Sequence, residues 1–305
     1  MRRILLAAVF AFAFMSEGRA ETVDRTRGVA AAFLNQAFAR GDVGGAHAMY
    51  AAAHFKEHDP AIGDGLQAHR DYFRTHRRFA RRAHVVDMLI VDGDLFAVMH
   101  HGFRDGRDRG AVAVDLWRVE AGRIAEHWNV TQDIPRTAEH ANGMACGVGE
   151  TYQSARALGE RALRDTRRAP ACGLPNPSAS RDETRRVVGN YVAEFGRGGV
   201  RSAVELWFAP NYRQHSPTIP DGAAGAIAFL EREFSDPTAE KPQLGPQRVL
   251  VEGDLILFHH SITYPGDARP IALIDIFRVA NGKISEHWDL KQPTPETAAN
   301  DNGVW

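Results

Sequence analysis

The sequence predicts an α+β fold built from one unit written twice, and three observations carry that reading. The first is an internal repeat. Asp115-Leu-Trp-Arg-Val-Glu-Ala-Gly-Arg-Ile-Ala-Glu-His-Trp-Asn-Val-Thr-Gln132 returns as Asp275-Ile-Phe-Arg-Val-Ala-Asn-Gly-Lys-Ile-Ser-Glu-His-Trp-Asp-Leu-Lys-Gln292, with nine of eighteen positions identical. Asp92-Gly-Asp-Leu95 likewise matches Glu252-Gly-Asp-Leu255, and His58-Asp-Pro60 with Asp64-Gly65 matches His215-Ser-Pro217 with Asp221-Gly222. The second observation is that helical periodicity precedes strand-like runs within the unit. The third is that Gly, Pro and Asn-Gly pairs punctuate those runs at hairpin spacing.

In the second copy, Val187, Val188, Tyr191, Val192 and Phe195 fall at helical spacing behind Ser180-Arg-Asp-Glu183, a capping box. Val200–Phe208 and Ala223–Glu233 give two shorter helices. The β-rich runs Arg248–Val251, Leu255–Tyr264, Ile271–Val279 and Ile284–Lys291 follow, broken at Gly253, Pro265-Gly266 and Asn281-Gly282. Between the copies, residues 150–168 read as a polar helix and 170–180 as a Pro/Gly/Ser loop. The chain therefore divides into residues 1–20, a first domain over 21–144, a linker over 145–180 and a second domain over 181–305.

At 305 residues with 44% hydrophobic and 25% charged residues, the composition fits a folded chain and excludes a disordered or collagen-like one. Lys and Arg number 37 against 38 Asp and Glu, so no global field favours nucleic acid or an anionic membrane. Arg2 and Arg3, the apolar run from Ile4 to Phe14 and the small residue Ala20 describe a secretory signal peptide, with an uncleaved anchoring helix as the other reading. The run is shorter than the ~20 residues of a membrane span. A secreted or periplasmic protein with no membrane contact after cleavage is the expectation. In an oxidising compartment the isolated pair Cys146 and Cys172 reads most simply as a disulfide, and two unpaired core thiols are the other possibility.

The pattern Q-H-x-P-x-x-P-D-G, then E-G-D-L, then D-I-F-R-V-x-N-G-K-I-x-E-H-W-D, resembles the SnoaL-like polyketide cyclases of the nuclear transport factor two-like superfamily. The resemblance covers 181–305 closely and 22–144 more loosely. It implies tandem cone-shaped domains, each with three helices packed on a curved antiparallel sheet around a pocket. It also implies that the two units pair as an internal pseudo-dimer. The superfamily hosts cyclases, isomerases, dehydratases, hydrolases and binding modules, so fold alone does not assign function.

Asp275 shares a strand face with Leu273, Phe277 and Val279; desolvation there would raise its pKa toward a proton-transfer role. A structural carboxylate paired to an Arg or a backbone donor is the alternative. His260 shares its face with Ile256, Phe258 and Ile262, and His259 points the other way. His260 is read as catalytic or as a satisfied core histidine. By period alone, His287 and Asp289 would face solvent. The resemblance instead makes Asp289 the acid/base residue and His215 a pocket-lining histidine. The catalytic set is thus Asp289, Asp275, His215 and His260, and the binding set is His259, His287, Trp288, Phe258 and Phe277, with Trp288 also read as packing.

Unit one keeps His58, His100, Asp115, His127 and Trp128, but Asn129 stands at the place of Asp289 and Met99 at that of His259. Asn cannot accept a proton as a base, so the first site reads as degenerate. The leading functional expectation is proton abstraction α to a carbonyl in a small apolar molecule, of aldol, isomerase or cyclase type. The alternative is a binding module of the same fold without turnover. Zinc held by His259, His260 and His287 with carboxylates was weighed as a third class; no metal and no cofactor are expected.

Overall fold

Two copies of one helix-and-sheet unit meet sheet to sheet. The computed structural model describes residues 20–75, 83–103, 110–144, 175–197, 199–234, 240, 242–245 and 248–305. The basic-apolar start, Cys146, Cys172 and the linker helix lie outside the described residues. No helix of the described residues is long and apolar enough to cross a membrane.

Unit one opens with a helix over residues 20–34 (α1) that runs into a π turn, Asn35–Ala39. Helix α2 (Val43–Tyr50), strand β1 (Ala51–Glu57) and helix α3 (Gly65–Thr75) follow. Strands β2 (Ala83–Asp92), β3 (Leu95–Phe103), β4 (Ala111–Glu120) and β5 (Arg123–Asp133) complete a five-stranded sheet ordered β1-β5-β4-β3-β2. Unit two repeats the plan with α4 (Arg181–Gly196), α5 (Val200–Trp207), β6 (Phe208–Gln214), α6 (Gly222–Phe234), β7 (Gln243–Leu244), β8 (Arg248–Glu252), β9 (Leu255–Thr263), β10 (Ile271–Ala280) and β11 (Lys283–Pro293). Its sheet runs β6-β11-β10-β9-β7, with β8 also on β9.

Local chemistry accounts for the boundaries. Ser180 Oγ accepts from the Glu183 amide at 3.2 Å and caps α4, which buries Val187, Val188 and Tyr191. The β10–β11 hairpin turns on Asn281 and Gly282, both at positive φ (52° and 71°), the geometry of a type I′ turn that matches strand twist. One feature departs from the expected helices-then-sheet order. In each unit a strand separates the second and third helices and lies parallel to the last strand, β1 on β5 and β6 on β11. Helix α5 therefore stops at Trp207. Pro210 lies within β6, where an edge strand tolerates a residue that cannot donate to the ladder.

Both faces of each sheet are covered. Odd positions of β10 and β11, and Ile284 beyond the bulge at Arg278 and Val279, face the unit's own helices, where Val187, Tyr191, Val204, Phe208 and Phe277 form one core. Even positions face the other unit. Val114, Leu116, Trp128 and Val130 of unit one share a second core with Ile274, Ile276, Trp288 and Leu290 of unit two. Polar contacts at this seam occur in exchanged pairs: Thr131 N donates to Gln292 Oε1 (2.6 Å) and Lys291 N to Gln132 Oε1 (2.8 Å). Asn142 Nδ2 reaches Gln214 O (3.0 Å), and Asn302 Nδ2 reaches Glu57 O (2.7 Å). Such reciprocity is the mark of an isologous contact.

Candidate functional site

Unit two encloses a cavity of about 490 Å³ between its sheet and its helices. Three strands supply the floor at alternate positions: Phe258 and His260 from β9, Asp275 and Phe277 from β10, and His287, Asp289 and Lys291 from β11. Tyr191 and Phe195 of α4 and Phe229 of α6 contribute to an apolar roof. The period-two argument therefore finds the right face, and burial by the helices overturns the solvent-facing reading of His287 and Asp289.

Asp275 is the hub of the polar floor. His260 Nε2 lies 2.6 Å from its Oδ2, and His287 Nε2 lies 3.0 Å from its Oδ1. Burial alone would raise this carboxyl's pKa. The hydrogen bonds and positive charge of His260 and His287 outweigh burial and hold it well below the usual carboxylate range. Asp275 is therefore an anchored anion, and the expected upward shift is corrected. His287 Nδ1 meets Gln214 Oε1 at 3.1 Å. That oxygen is fixed as an acceptor by the His215 and Ser216 amides (2.9 and 2.8 Å), so both nitrogens of His287 face acceptors.

Asp289 is only 5% exposed and pairs with Asp275 across the β10–β11 ladder. Its Oδ2 lies 3.4 Å from Lys291 Nζ, while Oδ1 is buried with no hydrogen-bond partner among the described residues. Burial alone would push the Lys291 ammonium down, but the adjacent Asp289 charge holds it up. His260 Nδ1 is likewise buried and unpartnered. Asp289 and His260 thus line a mostly apolar cavity, and each carries a buried polar atom, one carboxylate oxygen and one imidazole nitrogen, with no partner among the described residues.

Three expected site residues lie elsewhere. His215 stacks on Trp288 with ring centroids 4.6 Å apart, and its Nδ1–H donates to Gly143 O at 2.8 Å. Burial lowers its pKa to about 4. Trp288 points into the inter-unit core, because its strand neighbours His287 and Asp289 take the cavity face. His259 also faces the seam; its Nδ1 accepts from Arg248 Nη1 at 3.0 Å, and burial pulls it down to about 3. Sequence reasoning missed Lys291, Gln214 and Tyr191. Lys291 was within reach, since it shares the face of Asp289 two residues on.

Unit one fills the corresponding space. Asp115 is held by His100 Nε2 (2.6 Å) and His127 Nε2 (2.9 Å), as Asp275 is in unit two. Asn129, however, turns its amide onto Asp115 Oδ1 at 2.8 Å and accepts from Thr131 Oγ1 at 2.8 Å, so no open acceptor faces inward at this position. Counting back from the aligned His58 and His215 pairs Glu57 with Gln214 and His47 with Val204; counting on pairs His69 with Ala226. Unit one thus buries two imidazoles where unit two has the smaller Val204 and the cavity-lining Ala226.

The SnoaL-like domain family matches residues 30–127 and 188–287. No curated protein matches the chain. Among solved structures, TsrD from Streptomyces laurentii is 26% identical over 37% of this chain and 91% of its own, with a TM-score of 0.31. A Kribbella flavida protein provisionally assigned as a ketosteroid isomerase is 17% identical over 38% and 82% (TM-score 0.32). A Mycobacterium tuberculosis epoxide hydrolase of the LEH-like type is 13% identical over 36% and 84% (TM-score 0.30).

Proposed function

This chain belongs to the SnoaL-like domain family, and we propose that its second unit performs acid/base catalysis on a small apolar carbonyl compound, with Asp289 as the base. One observation carries the reading: a buried carboxylate oxygen, Asp289 Oδ1, with no hydrogen-bond partner among the described residues, on a side chain that lines a cavity with a polar floor and a largely apolar wall. An unpaired buried acceptor is costly unless a ligand satisfies it, at about 1–3 kcal/mol. A C–H made acidic by an adjacent carbonyl is a group such an oxygen can deprotonate.

The other residues divide the remaining work. Asp275, held ionised, orients His260 through Nε2 and leaves Nδ1 for the substrate oxygen, where an N–H would meet the charge that develops on proton loss. His287, braced between Asp275 and Gln214, keeps that carboxylate in place. Phe258 and Phe277 supply apolar contact and exclude water.

Proton–deuterium exchange into a panel of small ketones and β-dicarbonyl compounds tests the assignment. Asp289→Asn should retain the fold, because unit one carries Asn at the same register position, and should slow exchange 10²- to 10⁴-fold, roughly 3–5 kcal/mol of barrier. Equal rates in the two proteins would remove Asp289 from the role. Tight binding with no exchange in the wild type would instead assign a binding module.

A further inference from the structure

The interior of unit one holds a second constellation that the proposed reaction does not use. His47 on α2, His69 on α3 and His127 on β5 bring one ligand atom each within 4.8 Å of one another. With Glu57 at the end of β1, they are no more than 5% exposed. His47 Nδ1–H donates to Val43 O at 3.0 Å, which leaves Nε2 as the lone-pair nitrogen, and Nε2 has no hydrogen-bond partner among the described residues. Among the described residues neither nitrogen of His69 makes a hydrogen bond; its Nε2 lies 3.5 Å from Glu57 Oε2, which has no hydrogen-bond partner there either. Glu57 Oε1 is fixed by the Asp59 amide (2.9 Å) and by His127 Nδ1 (2.8 Å).

Orphaned, fully buried lone pairs from three elements converge here, and apolar packing does not satisfy them. We propose that His47, His69, His127 and Glu57 bind one divalent first-row transition ion of the zinc type. Three imidazoles and one carboxylate are a donor set for such an ion, and four protein ligands make a closed, structural site. The outer shell is already built. His47 keeps its Nδ1–H on the Val43 carbonyl, and His127 keeps its Nε2–H on Asp115 at 2.9 Å, the arrangement that fixes tautomer and ring orientation around a metal. On binding, the hydrogen between His127 Nδ1 and Glu57 leaves as a proton to solvent, and the ion takes its place. Unit two carries Val204, Ala226 and Gln214 at three of the four positions, so the site belongs to unit one alone.

The test uses the full chain, stripped with chelator and titrated with Co²⁺ and then Zn²⁺. One equivalent of Co²⁺ should bind with the visible absorption of four-coordinate cobalt, Zn²⁺ should displace it, and Zn²⁺ should raise the thermal unfolding temperature. His69→Ala and Glu57→Gln install residues that unit two tolerates at those places, and each should weaken binding at least 100-fold. Asp115→Asn, which removes an outer-shell partner only, should weaken it about 10- to 100-fold. Far-UV circular dichroism confirms that each variant is folded. Should a variant fail to fold, the wild-type titration decides alone. No cobalt band with no Zn²⁺-dependent thermal shift overturns the proposal, and so does binding that survives intact in both His69→Ala and Glu57→Gln.

Discussion

Asp289 and Asn129 occupy the same place opposite a carboxylate gripped by two histidines, and the swap of one oxygen for an amide nitrogen separates their chemistry. The Asn129 amide donates to Asp115 and closes the network. The Asp289 carboxylate cannot donate, so it turns to Lys291 and leaves an oxygen open. That contrast was legible in the sequence, because the two copies share Glu-His-Trp and then diverge. The role of His215 was not legible: its ring stacks on Trp288 at the seam, and only the tertiary path of Gly143 reveals it. A pH dependence follows for the seam. A histidine in the unfolded chain takes up a proton near pH 6.5, whereas burial delays this to about 4 for His215 and about 3 for His259. The unfolded state thus binds more protons across that interval, and stability falls as pH drops from about 6.5 toward 4. Unfolding free energies from denaturant titration should decline by at most about 1.4 kcal/mol per pH unit for each histidine. The depressed pKa of Asp275 acts in a lower window: its stabilisation is complete above about pH 4 and is lost only as pH falls further. His47, buried and pulled down to about 3, adds to this fall and Asp59, pushed up to about 6 by burial, opposes it, so the seam's share is read by substitution: a pH slope unchanged in His215→Gln would contradict the assignment of that ring to the seam.

The same element carries different cargo in the two units. Helices α3 and α6 begin at matching glycines, yet α3 delivers His69 to the interior where α6 delivers Ala226. Helix periodicity shows which face turns inward, but not whether the inward residue fills a cavity or borders one. That depends on volumes contributed by the facing sheet. Strands β1 and β6 escaped the sequence reading because their apolar positions are few and Pro210 sits within one of them. The capping box of α4 was legible, since Ser180 and Glu183 stand at the required spacing. Helix α4 roofs the cavity through Tyr191, so its cap bears on the site as well as on stability. Ser180→Ala should cost about 0.5–2 kcal/mol in a denaturant titration. An unchanged midpoint would mean that packing alone holds the first turn.

At the scale of the molecule, duplication has fused two units through the faces their helices leave uncovered. Each sheet turns an apolar face to the seam, as the burial of Val114, Leu116, Ile274 and Ile276 shows. A unit alone would expose that face to water. Ile274→Ala, at the centre of the seam, should destabilise by about 2–5 kcal/mol and lower the unfolding of both units together. Two separated transitions in the wild type would contradict a shared core. The repeat announced two copies of one fold. Asn129 at the place of Asp289 marked the first site as degenerate; what the sequence reading missed is that His47 and His69 stand inside unit one where Val204 and Ala226 stand in unit two. The central claim is that, among the described residues, the aspartate–histidine floor borders a ligand cavity in unit two and packs against His47 and His69 in unit one. Calorimetric titration with a small apolar carbonyl compound tests it most directly: one equivalent per chain for the wild type, one for Asp289→Asn, and none for Ala226→His, which fills the cavity as His69 fills unit one. Two equivalent sites, or a single site that survives Ala226→His, would contradict the account.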